Sequence, residues 1–378
     1  MCIVDRYLLR KFLQTFLICF SSLIGLYVVC DLVTNLDEFL RCGRNAGGVL
    51  PFIGRYYGFK TILLFENTCG MLTLISAMFT VSWIQKNNEM VALMAAGVSR
   101  IRVLAPIIIA VAVISVAAAV NREVVMPRCR AELSRRPQDP AGDKPQRVEK
   151  RYDCKTNVFL DGRNTFADRN RIERPEFSLP APLREYGKQL IAENAYYKPA
   201  EGKRPSGYLL EGMQEPKNLD TRPSLKLNGQ PVVITPRDAP DWLKPDQCFV
   251  VSDVAFDHLT AGGNVQQLSS TLELIQGLHN PSLDYRADVR VEVHSRFLRP
   301  ILDMTLLFLG LPLIVVRESR NVFIAMGICM GVTTAFSVVV IGTQYLGAAA
   351  FFSPPLAAWM PLLIFAPLAT LLAEHLWQ

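Results

Sequence analysis

Histidine is scarce in this chain: 4 of its 378 residues, His258, His279, His294 and His375, stand far apart without acidic neighbours at ligand spacing. A histidine-centred acid–base or metal site therefore has no raw material. No phosphate-cradling Gly-x-x-x-x-Gly-Lys-Ser/Thr loop is present, nor His-Glu-x-x-His, nor Gly-x-Ser-x-Gly. Those absences leave nucleotide hydrolysis, zinc proteolysis and serine hydrolysis without their usual signatures. The 9 cysteines include no Cys-x-x-Cys, so zinc and dithiol motifs are unsupported. Cys19, Cys30, Cys69 and Cys329 fall in apolar runs and read as small hydrophobes. Cys129, Cys154 and Cys248 lie in the polar middle, an odd number to which no pairing is assigned. Basic runs are short, Arg135-Arg136 and Lys150-Arg151 within a net charge of +6, too little for a nucleic-acid surface. No catalytic residue, metal site or cofactor is expected.

What the chain has in plenty is apolar length. Hydrophobic residues make up 50% and charged residues 20%, and the two are segregated. Residues 1–121 and 297–378 are apolar, whereas the middle is dense in Arg, Lys, Asp, Glu and Pro. About 20 apolar residues cross a bilayer core, and six runs fit: 12–33, 61–84, 101–120, 297–316, 322–346 and 356–372. The last carries Pro361 and Pro367, whose freed backbone groups neighbouring helices can satisfy. The first follows Arg6, Arg10 and Lys11 as a signal peptide would. It exceeds the about 7–15 residues of a signal core and lacks a small-residue cleavage site, so it reads as a permanent anchor.

Short loops put Lys86, Arg100 and Arg102, then Arg317 and Arg320, on the same side as Arg6, Arg10 and Lys11. The positive-inside tendency makes that side cytoplasmic, with both termini. The middle is then extracytoplasmic, and Arg41, Arg44 and Arg55 in the first outer loop, 37–55, are an exception. Three domains follow: 1–121 with three spans, 122–290 polar, and 291–378 with three more. Within the middle, 135–150 reads as linker. Short β-like runs at 157–160, 189–197, 207–211, 231–235 and 249–256, separated by Gly, Pro and Asn, predict an all-β sandwich or jelly-roll. A short helix is expected over 271–278. No internal repeat is visible.

The most informative segment, 85–100, lies between the second and third runs. Asn88 suits a helix cap, Glu89 its first turn and Gly97 its end. Met90, Leu93, Met94 and Gly97 share one face at 3.6-residue spacing, with Ser99 and Arg100 beyond. Such a helix suits either the lipid interface or a groove on a cytoplasmic partner. Asp31, Glu66, Asn67 and Asp303 stand within or beside apolar runs, where polar side chains generally face a cavity or a partner. Asp31 and Glu66 equally suit a polar interface at a helix end, whereas Asp303 calls for Asn or Arg from a neighbouring helix. Gly327, Gly331, Gly342 and Gly347 on the fifth run permit close helix contact, in packing or in gating.

Together these segments resemble the LptF/LptG permeases of lipopolysaccharide-transport ABC exporters. Asp5-Arg6-Tyr7 with Phe12 and Phe16 is similar to the family's opening, and 88–100 to its coupling helix. Glu292-Val293-His294-Ser295-Arg296, Pro300 and Leu309-Gly310-Leu311-Pro312-Leu313 resemble its fourth-helix signature. Ala192-Glu193-Asn194-Ala195 and Tyr208-Leu209-Leu210 resemble strands of its periplasmic domain. The likeness runs through nearly the whole chain in order. It implies an α-helical inner-membrane protein with six transmembrane helices and an inserted all-β, jelly-roll-like periplasmic domain. It also implies a non-catalytic permease for lipopolysaccharide or a related glycolipid. The implied partners are a second LptF/LptG-type subunit, a cytoplasmic LptB-type ATPase dimer and a periplasmic LptC/LptA-type bridge. Asn88, Glu89, Met90, Leu93, Met94, Gly97, Ser99 and Arg100 would couple to the ATPase. Asp31, Glu66, Asp303 and Gly331 become candidates for the lipid cavity or its gates, which the family builds from helices one and five. One departure is Asp31, where members often carry a basic residue that meets lipid phosphates; proline-rich inserts in the middle are another. Two rivals remain on patterning alone: a four-span mechanotransmission permease, whose outer domain follows its first span, and a membrane-anchored structural or sensory protein.

Overall fold

The structure, a computed structural model, describes all residues except 1, 2, 46, 47, 136, 138, 140–144, 167, 168, 203, 218, 220, 228, 261–264, 284, 286, 316–321 and 378. Arg136, Arg317 and Arg320 lie outside the described residues. The chain forms two compact units: Met1–Leu133 with Leu268–Thr271 and Arg286–Gln378, and Ser134–Gln267 with Leu272–Tyr285.

The first unit is helical. It contains α1 (Ile3–Thr34), α2 (Leu36–Asn45), α3 (Val49–Lys86), α4 (Glu89–Ala95) and α5 (Arg100–Val120). The segment Thr271–Leu278 is α6, of which Thr271 belongs to this unit; α7 (Ala287–Val315), α8 (Val322–Ala348) and α9 (Pro354–Trp377) complete it. Among the described residues, six helices are long and apolar enough to cross a membrane: α1, α3, α5 with its extension to Arg128, α7, α8 and α9. Several outrun the apolar stretches that announce them. α3 has 38 residues, about 57 Å at 1.5 Å per residue against a hydrocarbon core of ~30 Å. The expected loop 37–55 is instead α2 and the first turns of α3. Phe39 is fully buried against Tyr56 and Tyr57, so an amphipathic helix covers an aromatic cluster there. Beyond Val120 the third span continues as a wide π turn, Asn121–Val125, and a last turn at Met126–Arg128. Pro127 cannot donate to the preceding turn and its ring would crowd residue 123 in a regular α-helix; the wider turn accommodates it. The bundle core gathers Leu74, Val81, Leu104, Ile107, Leu306 and Leu311 from α3, α5 and α7.

The second unit is an antiparallel sheet of β1 (Gln146–Arg147), β2 (Arg151–Asp153), β3 (Val158–Leu160), β4 (Gly162–Phe166), β5 (Arg171–Ser178), β6 (Gln189–Lys198), β7 (Gly207–Glu215), β8 (Leu225–Leu227), β9 (Gln230–Ile234) and β10 (Gln247–Val251). The order is β1-β4-β5-β6-β7-β10-β9-β8, with β3 joining β2 to β5. β6 and β7 pair Ala195 with Leu210 and Tyr197 with Tyr208. One face buries Val158, Leu160, Ile172, Phe177, Leu190, Tyr208 and Val250. Tyr208 donates to the Val254 carbonyl at 2.8 Å, and burial pushes its hydroxyl pKa upward. β5 was not legible as a strand because its alternation slips: Ile172 is buried, Arg174 is exposed with φ 47°, and Pro175 and Phe177 are buried. The run expected at 249–256 ends sooner, at Val251.

Candidate functional site

Two places in the helical unit combine unusual residues with unusual packing, and the first is built around the termini of α4. Asn88 precedes α4 in a left-handed conformation, φ 59° and ψ 14°, and its side chain makes no cap hydrogen bond. The expected capping role therefore gives way to a backbone one, since Asn tolerates this conformation better than most residues. The other end is a Schellman turn: Gly97 has φ 81°, its N–H donates to the Met94 carbonyl (2.9 Å) and that of Val98 to Leu93 (3.1 Å). Only at Gly is this left-handed position free of strain.

The face expected to meet a partner divides in two. Met90 is 5% exposed and packs with Leu8, Ile84 and Val103, with Leu93 and Val98 beside them. Met94, at 38%, and Val91, at 63%, point away from the chain, as do Ala92, Ala95, Ala96 and Gly97. A two-turn helix has too little intrinsic stability to stand alone, so part of its apolar face must hold it to the bundle. Ser99 is exposed and Arg100 half-buried at the start of α5. Glu89 accepts hydrogen bonds from the Tyr7 hydroxyl, at 3.1 and 3.2 Å to its two oxygens. Lys11 lies over the rings of Tyr7 and Trp83, 5.8 and 5.9 Å from their centroids.

Twenty residues along α3 from Lys86, Glu66 is 4% exposed, about 30 Å away at 1.5 Å per residue. Arg122, delivered by the π turn, places Nε 3.1 Å from its carboxylate, and both side chains are buried. Arg299 of α7 approaches the same carboxylate at 3.6 Å and donates to the Glu66 carbonyl at 3.1 Å. One buried acid thus joins three helices. Asp303, one turn further along α7, lies against Gly70: a Cβ there would collide with its carboxylate. A second set of bonds grips the return segment Leu268–Thr271. Arg296 donates to the Ser269 carbonyl (2.6 Å) and to Glu292 (2.9 Å). Arg130 donates to the Ser269 hydroxyl at 3.1 Å, and Glu123 accepts from the Thr271 N–H at 2.8 Å.

Asp31 lies near the far end of α1, half-buried, and accepts from the Tyr57 hydroxyl at 2.8 Å. Asp31 and Glu66 thus both have partners on or beyond α3. Gly331 meets nothing within 4 Å where a Cβ would stand, nor do Gly327 and Gly342; of the four glycines of α8, Gly347 alone approaches a neighbour closely, at Ala357 and Val291. The close approaches that hold the bundle are instead Gly70 to Asp303 and Gly310 to Leu74. Sequence reasoning named Tyr7 only as part of the family's opening, and passed over Tyr57, Arg122 and Arg299. The signal available for the arginines was a basic residue near the far end of a span, opposite Glu66 at a similar depth. Among the described residues, no three His, Cys, Asp or Glu side chains are grouped to hold a metal.

A family model described as lipopolysaccharide export system permease LptF/LptG matches residues 6–166 and 228–375. The chain belongs to the LptF/LptG family. Comparison with individual curated proteins gives no match. As an LptF/LptG permease it is a component of a transport system, and its fold is helical and membrane-spanning with an inserted β unit. The matched residues of this LptF/LptG chain take in all six membrane helices and α4, and the stretch between the two matches contains β5, β6, β7 and β8.

Proposed function

We propose that this LptF/LptG protein is one membrane subunit of an ABC exporter that extracts lipopolysaccharide, or a related glycolipid, from the inner membrane. The lipid passes to a periplasmic bridge of the LptC/LptA type. A cytoplasmic ATPase dimer of the LptB type supplies the energy, and a second LptF/LptG-type subunit completes the lipid cavity. Burial of each lipid CH₂ is worth about 0.8 kcal/mol, so a lipid with several acyl chains does not leave a bilayer unaided. The work must enter through a contact with the motor.

The observation that carries this reading is the exposed strip of α4. Val91, Met94, Ala95 and Ala96 are uncovered while Met90 anchors the helix from behind. A small, adaptable apolar strip fits a groove on a partner, with Asn88, Glu89, Leu93, Gly97, Ser99 and Arg100 fixing its shape. Lys86, Arg100 and Arg102 favour the cytoplasm for this end, hence for both termini, and the periplasm for the β unit. On the lipid side, α1 exposes Leu17, Ile18, Leu26 and Val29, and α8 exposes Val338, Ile341 and Tyr345. These faces suit acyl chains or the second subunit. An apolar recess lined by Ile75, Met78, Phe79, Met326, Cys329 and Met330 adds to that surface. Asp31 and Gly331 would face the cavity themselves. Glu66 and Asp303 would act through Arg299, whose side chain is 40% exposed.

Purification from the native membrane in mild detergent tests the assignment. An ATPase subunit should accompany the chain, and Met94→Glu or Gly97→Trp should lower lipid-dependent ATP hydrolysis while membrane insertion is unchanged. Full activity in both variants refutes the role of α4.

A further inference from the structure

We propose that Tyr7 is a positioning residue that ties α4 to the inner end of α1, so that α1 is driven directly from the motor-docking helix and not through the packed core. This rests on the reading of α4 given above. The Tyr7 phenol donates to both carboxylate oxygens of Glu89, at 3.1 and 3.2 Å. One residue on, Leu8 is fully buried in the cluster that holds Met90. The first turns of α1 are therefore joined to α4 by a polar bond and an apolar contact side by side. Lys11, lying over both the Tyr7 and Trp83 rings, steadies the phenol and keeps α1 beside α3 at that level.

Between that joint and the Asp31–Tyr57 bond at its outer end, α1 is less deeply packed, with Phe20 edge-on to Phe65 and Tyr27 edge-on to Tyr57. Its buried residues are Leu8, Phe12 and Phe16, all in its first half, and Leu17, Ile18, Leu26, Val29 and Val33 are exposed. A helix is stiff along its axis, and one clamped at its end but loosely packed along its flank transmits displacement as a lever. From Tyr7 to Asp31 the rise is about 36 Å at 1.5 Å per residue. Movement of Glu89 is thereby delivered to the level of Asp31 and Tyr57, on the other side of the hydrocarbon core. A ring without the hydroxyl would keep the shape of this joint and lose its polar half.

The test uses the whole complex, this chain with its partner permease and ATPase, in proteoliposomes carrying lipopolysaccharide. Tyr7→Phe should assemble with the ATPase and hydrolyse ATP at the basal rate. Lipid released per ATP should fall about tenfold, the loss expected when a hydrogen bond to a charged group is removed. Tyr7→Trp, which restores an N–H donor on a ring, should recover release. Undiminished release per ATP in Tyr7→Phe overturns the proposal, as does failure of Tyr7→Trp to recover it. Loss of assembly in Tyr7→Phe also overturns it, because the residue is then merely structural. Met94→Glu in the same assay separates the two ideas. If it loses the ATPase while Tyr7→Phe behaves normally, the docking reading stands and the tie fails; if Met94→Glu has no effect, both fall.

Discussion

Of the 29 residues of α7, sixteen are buried in the bundle; of the 32 residues of α1, three are. The bilayer demands the same apolarity of both, so hydropathy does not distinguish a scaffold helix from one that is free to move. Lipid tails are as apolar as leucine, and helices in a membrane gain little from hydrophobicity alone when they meet. What singles out α3, α5 and α7 is close approach and polar ties: Gly310 against Leu74, Gly70 against Asp303, and Glu66 bound by Arg122 and Arg299. α1 is tied at its two ends, by Tyr7 to Glu89 and by Asp31 to Tyr57, and α8 presents Gly327, Gly331 and Gly342 to open space. The difference teaches that a rigid triad and loosely held helices coexist in one chain.

The sharpest way to break that comparison is to remove one half of the buried ion pair. Arg122→Ala leaves the buried Glu66 with Arg299 alone, at 3.6 Å and 40% exposed, and should cost about 3 kcal/mol, the lower end of the range for breaking a buried pair, read as a lowered unfolding temperature in detergent. Leu17→Ala on the exposed flank of α1 should stay within about 0.5 kcal/mol. Equal melting of the two variants would end the distinction. Next in size, Gly310→Val should cost about 1–3 kcal/mol by overpacking against Leu74. Gly331→Val should be nearly silent in the isolated chain. If the second proves as costly as the first, α8 is packed more closely than the bundle geometry indicates.

The smallest effect extends the comparison to the β unit, where polar ties are more exposed. Asp253 accepts from Lys155 at 2.8 Å and from the Ser206 hydroxyl. Burial raises its pKa, but these two bonds outweigh it and hold the carboxyl below its ordinary range. A depressed folded pKa contributes stability that is present above the unfolded value, about 3.9, and is lost as pH falls through the folded one. Asp253→Asn should therefore remove a small part of the acid sensitivity of the sheet and leave stability near neutral pH slightly reduced. Acid titrations followed by the β-sheet circular dichroism of the two proteins check this; identical acid limbs would show that the tie is fully screened.

The spans were legible because a bilayer requires long apolar runs, and α6 was legible as Thr271–Leu278 from composition alone. Periodicity marked the apolar face of α4 but could not say what covers it: Met90 and Leu93 serve the chain's own packing, and Met94 does not. Arg122 and Arg299 went unremarked because their meeting with Glu66 depends on helix rotation and, for Arg122, on a π turn that no local pattern announces. β5 hid behind the slip at Arg174. Asn88 had the residue type of a cap, yet its use is the backbone conformation it tolerates. Asp31 drew notice as an acid in an apolar run, but its partner, Tyr57, lies 26 positions away in sequence.

The wide turn at Asn121–Val125 makes the chain length itself a structural variable. It houses one residue more than a regular turn would, and Arg122 and Glu123 use the resulting orientation to meet Glu66 and Thr271. Deleting one residue there would let an ordinary helix close with the later positions still on their present faces, because the wide turn is what absorbs the extra residue. Met126 and Leu133 would keep their places beside Leu268, while the residues inside the turn would be re-aimed. Point substitutions at this place cost one bond each; a one-residue shortening would cost the Arg122 and Glu123 contacts together and spare the helix beyond.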